Sequence, residues 1–317
     1  MKGECVMTKF NSKIKAILFF LVVCVFSTLL ICGCSNSSTS KSGKIEITDL
    51  SGRTITLDKP AEKIIALSAS DCEVFYAIDA GDTLIGRGTY CDYPDQVMQL
   101  KDYGSGELMN LEEIVAAKPD VVVMAKSGFT LDQVQSIENA GIKTFVNEPT
   151  SLEDTYTYIN LLGKLTGKED NAKKVVSDMK SGIDKVKEKV AKNPSSSKSI
   201  YYEVSPLQYG LWAAGSGTFM SEIADILKIN NIFSDIQDWS EVSAEQVIKR
   251  NPDFIVSVTM YFGSGPRPED EIMSRAGWEN INAIKNKKVT NVDNSSITRP
   301  GPRLVDALNS IYQFVYE

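Results

Sequence analysis

Histidine is absent from all 317 residues. That removes Ser-His-Asp and Cys-His catalysis and every histidine-containing zinc site, together with the commonest metal ligand. Three Gly-Ser-Gly triplets begin at Gly104, Gly215 and Gly263, but no lysine follows any of them, so none is a phosphate loop. No Gly-x-Ser-x-Gly elbow has a histidine to serve it. Acidic residues number 41, and no pair among them is marked out as an acid and base. An enzyme built from this inventory would need a strongly shifted carboxylate or lysine as its base. The expectation is a protein that binds and does not catalyse.

Two residue types remain that could do chemistry. Cys72 and Cys91 are the only cysteines beyond residue 34. In an oxidising exterior they could pair, closing a loop of ~20 residues worth ~3 kcal/mol. They could equally stay as two free thiols, which is the reading taken. Arginine is scarce, at seven residues, and four of these (Arg87, Arg267, Arg299 and Arg303) fall in or beside loops. Arginine binds carboxylates bidentately, and a local positive cleft in an acidic protein draws anionic ligands. Arg303 opens a helix, where an ion pair is as good a reading as a ligand contact. Arg299, in the loop before it, is the stronger ligand candidate.

Those loops take their places from alternating strands and helices. "KIEITDLSGRTITL" (44–57) alternates apolar and polar residues about a turn and predicts a β-hairpin. "KIIALSA" (63–69), "TLIGRG", "VVVMA" (121–125) and "KTFVN" (143–147) read as strands separated by helices. Two helical segments follow, 151–166 and 169–192. The second is charged and long, ~36 Å at 1.5 Å per residue, and suits a rigid spine between two lobes. Strand–helix alternation then resumes with "SIYYEV" (199–204), "DFIVSVT" (253–259) and "KKVTNV" (287–292). Such alternation implies parallel sheets covered on both faces. Ligands of open parallel sheets bind beyond the carboxyl ends of the strands. The candidate loops are therefore 68–71, 87–95, 126–130, 147–151, 205–217, 260–268 and 293–302. They bring forward Tyr90, Lys126, Tyr209, Trp212 and Arg267.

One stretch echoes another. "NLEEIVAAKPDVVV" (110–123) matches "SAEQVIKRNPDFIV" (243–256), placing Glu112 and Glu245 alike in a first helical turn. There a glutamate opposes the helix dipole, worth ~0.3–1 kcal/mol. Lying on either side of the spine, the echo suggests two lobes of like design.

At the other end, Lys2, Lys9, Lys13 and Lys15 precede an apolar segment, Ala16 to Ile31. These are the charged and apolar regions of a secretory signal. "LICGC" (30–34), followed by a run of serine and threonine, resembles the lipobox of bacterial lipoproteins, in which the last cysteine, here Cys34, carries the lipid. A two-chain lipid holds a protein on a membrane, and residues 34–43 read as a lipidated flexible tether. Without residues 1–33 the chain has 30 basic against 40 acidic residues, which argues against a nucleic-acid partner.

From residue 46 onward the chain resembles the substrate-binding proteins of ABC importers for iron–siderophore, haem and cobalamin. The motifs run in order: "TDLSGRTITLDKPAEKIIAL", "LIGRGTYCDYP", "MNLEEIVAAKPDVVV", "VSAEQVIKRNPDFIV", "WENINAIKNKKV" and "TRPGPRLVDAL". The resemblance implies two Rossmann-like lobes joined by one long α-helix, the class III periplasmic-binding-protein fold. The domains would be a signal peptide (1–33), tether (34–43), N-terminal lobe (44–166), spine (167–195) and C-terminal lobe (196–317). It implies that Tyr90, Trp239 and Arg299 line the cleft, and that Glu112 and Glu245 dock onto arginines of a permease dimer driven by its ATPase. Gly106 or Glu107, and Ala125, stand where cobalamin-binding members place tryptophans, a departure from that pattern. The function implied is a monomeric, lipid-anchored receptor on the outer face of the cell membrane. It would bind a metal chelate (ferric siderophore, haem or cobalamin) and hand it to the permease, with no cofactor or metal site of its own. A surface sensor or adhesin with the same fold is the alternative.

Overall fold

The computed structural model describes residues 44–192 and 197–317. The signal segment, the tether and Cys34 lie outside them. Among the described residues no helix is long and apolar enough to cross a membrane.

The first hairpin forms as its alternation predicts: β1 (Ile45–Thr48) pairs antiparallel with β2 (Thr54–Leu57). Its turn is pinned by Asp49, whose Oδ1 accepts from the amides of Ser51 and Arg53, both at 2.9 Å. A five-stranded sheet follows, with order β5–β4–β3–β6–β7 and every pair parallel. Its strands are β3 (Ile64–Ala66), β4 (Leu84–Arg87), β5 (Lys101–Asp102), β6 (Val121–Ala125) and β7 (Lys143–Asn147). Helices α1 (Ala69–Ala77), α2 (Leu111–Ala117) and α3 (Leu131–Asn139) cover it. The unbroken apolar run Val121–Met124 is fully buried, as a central parallel strand between two helical layers must be.

Helices α4 (Leu152–Thr166) and α5 (Glu169–Lys192) come next. The long α5 buries Ala172, Val176, Met179, Ile183, Val186 and Val190. That spacing of three and four residues makes a single apolar stripe, with lysine and glutamate on the remaining face. A large aliphatic side chain fully buried in this way contributes about 1.5–3 kcal/mol. The stripe packs on α4 on one side and on α6 (Phe219–Ile226) and α11 (Leu304–Tyr316) on the other. The approach to α11 is close: a Cβ at Gly182 would lie 2.6 Å from Val305 Cγ1. One apolar cluster therefore runs without a break from the first hairpin through α1, α4 and α5 to α11.

The second sheet has order β11–β9–β8–β12–β13, with β10 on β8. It comprises β8 (Ser199–Glu203), β9 (Trp212–Ala214), β10 (Asn230–Asn231), β11 (Trp239–Glu241), β12 (Phe254–Ser257) and β13 (Val289–Asn291). Helices α7 (Ala244–Arg250), α8 (Pro268–Met273), α9 (Asn282–Lys285) and α10 (Asn294–Thr298) accompany it. The fold is thus two Rossmann-like lobes joined by one long helix. Two details differ from the sequence expectation. The segment 205–217 is not all loop, since β9 within it makes an antiparallel ribbon with β8 and β11. Likewise 293–302 contains the helix α10, started by Asp293, whose side chain accepts from the amide of Ser296 at 2.8 Å.

The sequence echo is a structural repeat. Both α2 and α7 are seven residues long. They begin at side-chain caps, Asn110 and Ser243, and end in left-handed residues, Lys118 (φ 49°) and Asn251 (φ 47°). Proline then prevents further helix and forces extended chain. The next aspartate ties the module to its sheet. Asp120 Oδ2 accepts from the amides of Glu62 and Lys63, and Asp253 Oδ2 from that of Ser199, all at 2.9 Å. Each lobe thereby fixes a helix–proline–strand unit against the start of the neighbouring strand, β3 or β8.

Candidate ligand cleft between the lobes

A cleft of about 570 Å³ opens where the carboxyl ends of the two sheets face one another. The N-terminal lobe lines it with Ala69, Ser70, Ala125, Ser127 and residues 147–150, the C-terminal lobe with 217–219, Asp238, Trp239 and 298–300. This volume lies within the range of small-molecule sites, ~300–1,000 Å³. Three helices start at its wall: α1, α4 and α6, whose N-caps are Ser68, Ser151 and Thr218. Ser68 Oγ accepts from the amide of Ala125 at 2.9 Å, binding the start of α1 to the end of β6.

Of the seven ligand candidates, the structure brings two into this wall, Trp239 and Arg299. Trp239 is 42% exposed, on the edge strand β11. The β9–β11 register pairs Trp239 with Ala214 and Glu241 with Trp212, so the two tryptophans sit diagonally on one face of the ribbon, ~7–8 Å apart at the backbone. Lys126 is exposed and follows the wall residue Ala125. Tyr90 and Tyr209 are each 72% exposed on loops outside the lining. Arg267 caps α8 and is ion-paired to Glu269.

Arg299 requires a correction. It stands at the cleft but is not a free cation. Its Nη1 donates to Glu73 Oε1 at 2.8 Å and to Asp92 Oδ1 at 2.6 Å. Arg303 completes the cluster: its Nε and Nη2 donate to Glu73 at 2.8 and 2.7 Å, its Nη1 donates to Asp293 at 3.2 Å, and its guanidinium stacks over Tyr93 at 4.3 Å. Glu73, on α1, is only 4% exposed. The two arginines belong to the C-terminal lobe, and Glu73 and Asp92 to the N-terminal lobe, so the cluster clamps one to the other. The Arg299 ion pair outweighs the cost of partial burial and holds the Asp92 carboxyl below its usual range.

The correction is general. All seven arginines are ion-paired. Arginines gathered near the loops are therefore explained by internal partners and do not make the cleft a positive lure. Its lining offers hydroxyls (Ser70, Ser127, Thr150, Thr218, Thr298), an amide (Asn147), aromatic surface, and two carboxylates, Glu148 and Asp238.

Beneath the wall lies Asp71, fully buried. Tyr158 OH donates to its Oδ1, and Asn147 Nδ2 does so at 3.3 Å. Burial raises its pKa to about 6, against the pull of these donors. Sequence reasoning placed Asp71 in the candidate loop 68–71 but missed the roles of Glu73 and Asp92. The available signal was three acids, at 71, 73 and 92, adjoining the two cysteines Cys72 and Cys91. Glu112 and Glu245 are both exposed, at equivalent places in the repeated module. The backbone amide at Glu245 and the Ser243 hydroxyl lower the Glu245 pKa.

Comparison with known proteins agrees with this architecture. Residues 64–295 match the periplasmic binding protein family. The chain is 30% identical over 305 residues to the ABC transporter substrate-binding lipoprotein YvrC of Bacillus subtilis, covering 92% of this chain and 95% of that one. It is 26% identical over 252 residues to the vitamin B12-binding protein of Photorhabdus laumondii, covering 79% and 86%. Among solved structures, a possible iron-binding periplasmic solute-binding protein of Staphylococcus epidermidis superposes with a TM-score of 0.70 at 31% identity, covering 82% of this chain and all of that one. The chain belongs to the periplasmic binding protein family, the substrate-binding proteins of ABC importers, and is not an enzyme.

Proposed function

We propose that this protein is a lipid-anchored receptor, attached through Cys34, that captures a metal chelate outside the membrane and delivers it to an ABC permease. The observation that carries the reading is the cleft of about 570 Å³ walled by both lobes at the carboxyl ends of their sheets. Glu112 and Glu245 are the docking carboxylates, one per lobe, presented outward by the repeated module. Trp239 packs against the chelate, with Trp212 beside it.

Charge narrows the cargo. The carboxylates Glu148 and Asp238 line the cleft, and Arg299 is neutralised by Glu73 and Asp92. Bringing a trianionic ferric tris-catecholate, or the propionates of haem, into this wall sets it against these carboxylates and costs desolvation, offset only by what the exposed Lys126 beside the wall supplies. A ferric tris-hydroxamate or a cobalamin, neutral or cationic, carries no such cost. The helix N-termini supply enough partial positive charge to orient carbonyl oxygens.

The test is tryptophan fluorescence of residues 44–317 titrated with a ferric hydroxamate, cobalamin, a ferric catecholate and haemin. Saturable quenching by one of the first two, moved to at least tenfold higher ligand concentration in Trp239→Ala, is expected. Binding of the catecholate or haemin alone would overturn the charge argument, and silence across the panel would overturn the chelate reading.

A further inference from the structure

The two cysteines converge. Cys72 lies in α1 and Cys91 in the loop after β4, and both are wholly buried with free thiols. Their Sγ atoms each approach the same acceptor, the carbonyl oxygen of Ala66, at 3.7 Å. They arrive there because β3 and β4 are adjacent parallel strands, so the chain leaving each turns back over the same sheet end. The loop is held down: Gly88 N donates to Ala66 O at 2.9 Å, and a Cβ at Gly88 would lie 2.1 Å from Leu67 O.

We propose that Cys72 and Cys91 are a redox-active dithiol that exchange with a small-molecule disulfide, such as oxidised glutathione, converts to an intramolecular disulfide. One protein thiolate attacks the small disulfide, forming a mixed disulfide and releasing one small thiol. The second protein thiolate then displaces the other small thiol. Two protein S–H bonds are lost, one protein S–S bond forms, and the small disulfide is reduced to two thiols that carry the protons. The Ala66 carbonyl gives up both S–H donors but keeps the Gly88 amide, so oxidation leaves no buried acceptor without a partner.

The bond would act on the interlobe clamp. Cys72 immediately precedes Glu73, and Cys91 immediately precedes Asp92, and these two carboxylates receive Arg299. Joining the sulfurs fixes the spacing of the two acids and pins the loop that carries Tyr90 and Tyr93. Two unrelated core cysteines would have no reason to stand beside the two acids of one clamp. The neighbouring Cys91 thiol, then burial, hold the Cys72 thiol well above its usual pKa. Little Cys72 thiolate forms at neutral pH, so attack by Cys72 is slow and quickens with pH.

The test uses the full chain, equilibrated just below its melting midpoint across glutathione buffers of increasing oxidised fraction, then acid-quenched, unfolded and alkylated. Trypsin cuts at Lys63, Arg87 and Lys101 place Cys72 in peptide 64–87 and Cys91 in 88–101. The expected result is joint loss of both alkylated peptides and the appearance of one cross-linked species, absent in Cys91→Ser. Oxidised protein should also melt several degrees higher than reduced protein, a difference that Cys91→Ser abolishes. Independent alkylation of both peptides at every ratio, or glutathione adducts that never close to the cross-link, would overturn the proposal. So would a melting shift that Cys91→Ser retains.

Discussion

Replacing Glu73 by glutamine tests the clamp directly. Its carboxylate accepts three guanidinium hydrogen bonds at 2.7–2.8 Å, from two arginines of the opposite lobe, and its side chain is 3% exposed. Glutamine keeps the shape but has no charge, and its amide turns a donor toward guanidinium donors. Removing one partner of a buried ion pair costs about 3–5 kcal/mol when the other is stranded. Here the stranding is partial: Arg299 keeps Asp92, Arg303 keeps Asp293, and their side chains are 13% and 20% exposed. The expected loss is therefore ~2–3 kcal/mol, or about 1 M in urea midpoint at a slope of ~2–3 kcal/mol per M. Equilibrium urea unfolding of wild type, Glu73→Gln, Arg303→Gln and the double variant gives the coupling energy, expected above ~1 kcal/mol. A loss below ~0.5 kcal/mol, or additive single variants, would refute the clamp. The coupling should also persist at high salt, because buried pairs are weakly screened.

Asp71→Asn should reveal a pH dependence of known sign. The folded pKa is raised to about 6 by burial, so the group's contribution is fully favourable below the unfolded value near 4 and is lost as pH rises through 6. At pH 7.5 the variant should be more stable than wild type by up to ~3 kcal/mol, and the difference should vanish near pH 4. A constant difference across that window in thermal melts would contradict the assignment. Glu112→Ala with Glu245→Ala should abolish stimulation of the cognate transporter's ATPase while leaving chelate affinity unchanged. Surviving stimulation would end the docking reading. Trp239→Ala should weaken chelate binding by at least tenfold in a fluorescence titration following Trp212, with urea stability within ~0.5 kcal/mol of wild type, since the side chain is partly exposed on an edge strand. Gly182→Val should cost ~1–3 kcal/mol by overpacking α5 against Val305 of α11.

Much of the architecture was legible because its signals are local and periodic. The Val121–Met124 run marks a central parallel strand, and the three-four spacing from Ala172 to Val190 marks a one-faced helix. The echo around Glu112 and Glu245 was legible for a stronger reason: three constraints coincide in it. A left-handed residue, a proline and a strand-tying aspartate follow one another in both lobes, and each needs the next. What escaped was non-local. The segment 205–217, rich in glycine and serine, reads as loop, yet Trp212–Ala214 become a strand because β8 and Trp239–Glu241 offer edges to pair with. No window of sequence contains both partners of that ribbon.

The arginines show the same limit in chemical form. A guanidinium beside the carboxyl end of a strand serves a ligand or a protein carboxylate equally well, because both present the same two oxygens. The outcome is decided by whether an acid sits within reach, and for Arg299 that acid is 226 residues away, at Glu73. One glutamate inside an apolar helical turn does not announce its partner among 41 acidic residues. Burial is what discriminates: a carboxylate left 4% exposed must be paired or neutralised, so the interior position of Glu73 requires a cation from the other lobe. The loop arginines supply it, and the cleft that sequence alone paints positive is lined by hydroxyls, an amide, tryptophan and two carboxylates.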